Sequence, residues 1–316
     1  AVLLYLRSGV SPFKFAIART GAIAIPFNFL YRAEELRYVL EQSECSVLLT
    51  MTGFAGLDYL ETLDTLSPGW ESEPEIGLLR KVIVLSTDGR SRSAATTYQQ
   101  LFESGAENRG AAVDVSHQPT DIGDMLYTSG STGSPKGVVV THDAVLRTGY
   151  ASALTRAYDD GRRILFSLPC YHMFGYVEGI LSAMMVGGAV ILQKSFSAEG
   201  YLAGIERHRA DDILCVPTMA VAMVECPARD RYDLSSLTAI LCGSAPAPIW
   251  LWEKVEELFG VSEIVTGYGM TECGGAMTLS RPEDDHILTS TTVGRPKSAG
   301  AAGAGGTDDL CVYSTI

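Results

Sequence analysis

Residues 127–137 read YTSGSTGSPKG and place hydroxyl side chains, glycines and one lysine between the apolar runs at 125–126 and 138–140. Gly130, Gly133 and Gly137 admit positive φ and let backbone N–H groups close on an anion, while Thr128, Ser129, Ser131 and Thr132 add donors and Lys136 adds a positive charge. This is the chemistry of a phosphate cradle, and a nucleoside triphosphate is the guest it suits. The ordinary P-loop sets Gly directly before its lysine and Ser or Thr directly after it. Here Pro135 precedes Lys136 and Gly137 follows, which argues against a Walker-type NTPase. Residues 125–127 read as the strand that delivers the loop and 138–141 as the strand that leaves it, with Thr141 placed to cap a helix beginning at His142.

Outward from the loop, apolar β-like runs alternate with helical patterns, the signature of βαβ units and a largely parallel sheet. A helical stretch at 11–20 precedes an apolar run at 23–26, and a helix at 33–42 leads to a strand at 46–50. The rhythm returns at 164–168, 189–193, 213–216, 239–242 and 263–266. An α/β fold with two sheet-based subdomains follows. Residues 67–75 and 88–97 read as polar surface loops and 103–120 as a longer connection.

With 316 residues, 47% of them apolar, the chain has material for about two domains and an ample core. A net charge of −13 leaves no broad surface for a phosphate backbone, so nucleic acid is not an expected partner. The seven cysteines are scattered, with no C-x-x-C pair, and read as reduced, buried thiols of a cytoplasmic protein. No apolar run reaches the roughly 20 residues needed for a bilayer span. The start, AVLLYLRSGV, reads as a strand entered midway, and 298–307 (SAGAAGAGGT) is a low-complexity stretch.

Two further motifs follow the loop: LPCYHMFG at 168–175 and GYGMTE at 267–272. Shorter strings surround them: VPT at 216–218, CGSAP at 242–246 and VGRP at 293–296. In this order, the set resembles the adenylate-forming superfamily of acyl- and aryl-CoA ligases, peptide-synthetase adenylation domains and luciferases. The match is to the AMP-binding N-terminal domain of an acyl-CoA synthetase. The resemblance implies two flavodoxin-like parallel-sheet subdomains, 1–120 and 121–296, followed by an incomplete tail at 297–316. The family's later T-G-D segment, hinge and C-terminal lid do not occur before Ile316; the 316 residues alone are then expected to be impaired, since the lid carries a catalytic lysine.

The resemblance also implies roles. Thr128, Ser129, Gly130, Ser131, Thr132, Gly133 and Lys136 would hold the ATP phosphates. Tyr268 would stack on adenine opposite Gly243, Ser244 and Ala245, with Gly267, Gly269 and Met270 completing the nucleotide segment. Thr271 would donate to the α-phosphate, and Glu272 would bind Mg²⁺, since a carboxylate near a triphosphate is costly unless a cation stands between them. His172 follows a strand and Pro169, where βα loops carry function; it is either a gate between the adenylation and thioester steps or a hydrogen-bonded structural histidine. Phe174, Gly175, Gly274 and Gly275 would face the acid. The small residues at 274–276 have two readings, a pocket floor for an extended apolar acid or close backbone packing.

Amino-acid-activating members carry an aspartate after the second strand, but Tyr171-His172-Met173-Phe174 offers no carboxylate. The expected function is ATP-dependent activation of a non-amino, apolar carboxylic acid to an acyl-adenylate, with transfer to CoA or to the phosphopantetheine of an acyl carrier protein. An amino-acid adenylation domain and a non-catalytic nucleotide-binding remnant are the alternatives.

Overall fold

The computed structural model describes residues 10–108, 116–128 and 135–297. The chain divides into two compact units, Ala1–His142 and Asp143–Ile316.

The first unit contains α1 (Val10–Arg19), α2 (Ala33–Gln42), β1 (Val47–Met51), α3 (Tyr59–Leu66), β2 (Lys81–Leu85), β3 (Thr96–Thr97), α4 (Tyr98–Glu107), β4 (Ile122–Thr128) and β5 (Lys136–Thr141). Strands β1, β2 and β3 form a parallel sheet in that order, with Val47 opposite Lys81. Helix α4 occupies the first part of the expected connection at 103–120. Its signal is the capping box Thr97-x-x-Gln100, in which Gln100 N donates to Thr97 Oγ1 and Thr97 N donates to Gln100 Oε1. The expected strand at 23–26 is reduced to isolated bridge residues, Ala24, which pairs with Asp124, and Pro26.

The Ala24 bridge decides where the division falls. Ala24 N donates to Gly123 O and Met125 N donates to Ala24 O, both at 2.9 Å, and buried Lys14 pairs with Asp124 at 2.8 Å. The β4–β5 hairpin is thereby tied to the first unit, which runs to His142; the resemblance implied a boundary at 120.

The second unit opens with α5 (His142–Thr155) and continues through β6 (Arg163–Phe166), a π-helix (Phe174–Leu181) that runs on as one α-turn (Ser182–Met185), β7 (Ala189–Leu192), α6 (Ala198–His208), β8 (Asp212–Cys215), α7 (Pro217–Val224), β9 (Ala239–Gly243), α8 (Ile249–Phe259), β10 (Glu263–Met270), β11 (Gly275–Leu279), α9 (His286–Thr291) and β12 (Arg295–Pro296). The sheet order is β12-β11-β10-β9-β8-β6-β7. Strands β6 to β10 are parallel, while β11 and β12 pair antiparallel at one edge. Renumbered from β6, the parallel part reads 2-1-3-4-5, the flavodoxin-like order, whose chain reversal between β6 and β8 opens a ligand crevice at the strands' carboxyl ends.

Local chemistry sets the helix ends. Ser197 Oγ accepts from Gly200 N at the start of α6, Pro217 begins α7, and Gly260 (φ 71°) stops α8. Central strands are buried on both faces: Ile164, Leu165, Phe166, Ile213, Leu214 and Cys215 have essentially no exposure. Each such large apolar side chain contributes about 1.5–3 kcal/mol. The π-helix lies on this core because residue 179 is glycine; a Cβ there would sit 2.6 Å from the Phe166 ring.

Candidate active site

In the first unit, β4 and β5 are the two strands expected to carry the phosphate loop, paired so that Tyr127 faces Gly137 and Thr128 faces Lys136. The pair Thr128 and Lys136 therefore forms the mouth of the loop, with Lys136 exposed. Tyr127 anchors the entry. Its hydroxyl bonds to the Gln42 side chain, its ring stacks edge-on with Phe27, and burial pushes its phenol up to about 12. Ser129, Gly130, Ser131, Thr132 and Gly133 lie outside the described residues.

In the second unit, the expected site segments lie at the carboxyl ends of parallel strands of one sheet: residues 168–175 after β6, 242–246 at the end of β9, and 267–272 along the neighbouring β10. His172 is pinned by its own backbone, its N–H reaching Pro169 O at 3.2 Å. Its Nδ1 accepts from Phe174 N at 3.2 Å, which leaves the proton of a neutral ring on Nε2. Protein crowding disfavours the charged ring and holds its pKa below 6.5, so the imidazole is neutral at pH 7 although the residue keeps an exposed edge.

Phe174 lies against β9: a Cβ at Gly243 would sit 3.3 Å from its ring carbons. Ser244 follows in the left-handed region (φ 72°), a strained backbone for a non-glycine residue of the kind that gathers at functional sites. Ser244 and Ala245 are exposed. Gly243 pairs with Gly267, so the expected adenine wall and the Tyr268 segment are adjacent strands. Gly267 and Gly269 allow the β10–β11 hairpin to close, since Cβ atoms there would meet Thr278 O at 2.4 Å and Gly275 O at 2.5 Å. A register slip between Tyr268 and Gly269 is a bulge of the type that re-aims side chains, and Tyr268 is 50% exposed. A 3₁₀ turn (Thr271–Cys273), closed by Gly274 at φ 75°, then buries Thr271 and exposes Glu272.

The two readings of the small residues resolve toward packing. A Cβ at Gly175 would meet Pro169 O at 2.6 Å, one at Gly274 would meet the Ala144 backbone at 3.3 Å, and one at Gly275 would lie 3.1 Å from Thr148 and 3.2 Å from Glu178 Oε1. The side-chain space at all three expected acid-contacting glycines is filled by protein. Backbone takes that space at Gly175 and Gly274, and the side chains of Thr148, Glu178 and Val177 take it at Gly275.

Sequence patterning missed a buried polar cluster behind Gly275. Glu178, on the π-helix, accepts from Ala276 N at 3.0 Å and from Ser152 Oγ, and faces Lys297 Nζ at 3.5 Å. Arg156 donates to Glu178 O at 3.0 Å and pairs with Asp212 at 2.5 Å, and Asp212 also receives the Tyr158 hydroxyl. A usable signal was the lone charge in the apolar run GYVEGIL, since buried carboxylates are rare unless paired.

Among the described residues, no three His, Cys, Asp or Glu side chains converge on a metal position. Glu272, a single exposed carboxylate, is the residue that would hold a Mg²⁺ ion, a cation commonly bound through one or two carboxylates. Of the six described cysteines, Cys273 alone is exposed, against the expectation of burial throughout.

A flavodoxin-like parallel sheet with nucleotide-type motifs at its carboxyl edge defines the large domain of an adenylate-forming enzyme. Comparison with known proteins agrees: the AMP-binding enzyme family matches residues 12–302, and the chain belongs to that family. It is 33% identical over 287 residues to a 3-(7a-methyl-1,5-dioxo-octahydro-1H-inden-4-yl)propanoyl:CoA ligase of Mycobacterium tuberculosis, covering 89% of this chain and 54% of that one. It is 31% identical over 298 residues to a putative acyl-CoA synthetase, YngI, of Bacillus subtilis, covering 89% and 53%. Among solved structures, the inhibitor-bound N-terminal domain of FACL13 from Mycobacterium tuberculosis superposes with a TM-score of 0.76 at 26% identity, covering 94% of this chain and 68% of that one. The chain spans about half the length of the curated relatives it matches. No helix among the described residues is long and apolar enough to cross a membrane.

Proposed function

We propose that the protein containing this chain activates a non-amino carboxylic acid with ATP and passes the acyl group to the thiol of CoA. The carboxylate oxygen attacks the α-phosphorus, a P–O bond forms, and pyrophosphate leaves; the thiolate then attacks the acyl carbonyl and AMP leaves. The loop donors and Lys136 neutralise the β- and γ-phosphates, Thr271 donates to the α-phosphate, and Tyr268 stacks on adenine against Gly243, Ser244 and Ala245. Magnesium held by Glu272 would lower the charge repulsion between the two anions. His172, neutral and presenting Nε2–H, with Phe174, guards the passage between the two steps.

The observation that carries this proposal is the β10–β11 hairpin, which leaves Tyr268 half exposed, buries Thr271 and exposes Glu272 beside the Gly243 strand end. The names of the curated relatives, CoA ligases and an acyl-CoA synthetase, favour CoA as acceptor over a carrier protein. A non-amino acid is favoured because Glu178, the buried carboxylate of this segment, is already engaged by Ser152, Ala276 and Lys297.

The test is acid-dependent exchange of labelled pyrophosphate into ATP by protein from the complete reading frame, followed by CoA-dependent release of AMP. Exchange with unsubstituted acids, and little with their α-amino analogues, is expected. Silence across a broad acid panel would overturn the enzyme reading, and exchange without thioester formation would move the acceptor to a carrier protein.

A further inference from the structure

Three of the sequence motifs meet at one buried carboxylate. Glu178 belongs to the π-helix that begins at Phe174, two residues after His172. Its Oε1 accepts from the N–H of Ala276, four residues past Glu272 on the returning strand of the GYGMTE hairpin. The same oxygen faces the ammonium of Lys297, which follows VGRP and also donates to Thr148 O at 3.2 Å. Ser152 on α5 bonds the other carboxylate oxygen. Side chains of Glu178 and Lys297 are 3% and 5% exposed. A charge so desolvated persists only where its partners outweigh the loss of water. Burial pulls the lysine's pKa below its usual value, against the opposing pull of Glu178.

Glu178 sits on a π-helix and bonds the backbone of the facing strand, and its own Oε1 is among the atoms that fill the side-chain space at Gly275, 3.2 Å from where a Cβ would lie. Insertions that make π-turns cost helix stability and recur at functional sites. Here the carboxylate fixes the distance between two segments that carry site residues.

We infer that Glu178 and Lys297 are a positioning pair for the adenylation step: the carboxylate sets the β10–β11 hairpin, and with it Thr271 and Glu272, against the helix that follows His172, and Lys297 locks the carboxylate in that place. Neither residue touches the reacting atoms. The inference rests on the proposed function, and the first measurement separates the two, because a wild-type protein silent in exchange fails the proposed function itself.

With an active wild type, kcat and KM for ATP are measured in the exchange reaction per folded molecule, with folding followed by urea denaturation. Glu178→Ala should lower kcat by about 10²-fold with KM for ATP near wild type, since a small misplacement of site residues has that effect. Glu178→Gln should recover most of it, because the amide oxygen can still accept from Ala276 N. Lys297→Met should also be slow, and adding Glu178→Gln to it should raise kcat by removing the uncompensated carboxylate. A folded Glu178→Ala with wild-type kcat, or Gln as slow as Ala, overturns the inference. Should Glu178→Ala not fold, the Lys297→Met measurements decide alone, and a double variant slower than Lys297→Met overturns it.

Discussion

Charge is handled in opposite ways around Arg90 and around Glu178. In the first unit, Arg90 reaches Asp88 and Asp58 on the surface, and Arg90's hydrogen bonds hold Asp88 down to about 2. In the second unit, Arg156, Asp212, Glu178 and Lys297 are all essentially without solvent. Water replaces a lost partner at the first place and cannot at the second. Exposed pairs therefore tune local order, while the buried cluster determines which segments stand together.

Breaking the buried cluster should give the largest effect. Arg156→Met leaves Asp212 with the Tyr158 hydroxyl and the more distant Arg162 guanidinium at 3.9 Å, removes the donor to Glu178 O, and should destabilise the protein by about 3–5 kcal/mol in urea titrations. Replacing both partners, Arg156→Met with Asp212→Leu, should recover most of that loss. Equal instability of the single and double variants would show that packing, not charge compensation, governs the cluster.

Exposed charges proposed to serve a ligand should behave differently again. Lys136→Ala and Glu272→Gln should each lower exchange kcat/KM by about 10²-fold while leaving the urea midpoint in place. A shifted midpoint would move either residue to the structural side of the comparison.

Smaller still is the surface pair Arg92 and Asp64, whose side chains are each 41% exposed. Arg92→Ala should cost about 0.2–1 kcal/mol, and less in high salt. A larger, salt-insensitive loss would erase the contrast between the two regions.

The smallest effect should be at His172. Its folded pKa lies below 6.5, so the unfolded chain takes up the proton first as pH falls, and stability declines below 6.5 until the folded-state pKa is passed. His172→Asn should flatten that slope, as followed by thermal melts between pH 7 and 5. An imidazole NMR titration with a midpoint above 6.5 would reverse the sign.

The βαβ rhythm, the hairpin strands around the phosphate loop and the family were legible from residues 125–141, 168–175 and 267–272, because periodicity and turn chemistry are local properties. Strand positions were read within a few residues, as at 189–192 and 239–243. The run at 23–26 misled because a short continuous apolar run specifies a surface to bury but not a partner. In the fold, the run makes only isolated bridges, at Ala24 to the hairpin and at Pro26, in place of a strand. The glycines at 175, 274 and 275 show the same limit. Sequence shows where a side chain is missing, but only the neighbours show whether substrate or backbone takes its space.

The sequence by itself determined the α/β class, the phosphate-loop strands and the order of the nucleotide motifs, since each depends on residues within one turn or strand. Tertiary structure alone decided that the hairpin joins the first unit, that Phe174 rests on Gly243, and that Glu178, Ala276 and Lys297 meet. Those contacts join residues up to 119 positions apart, and no local pattern encodes a distance across the fold.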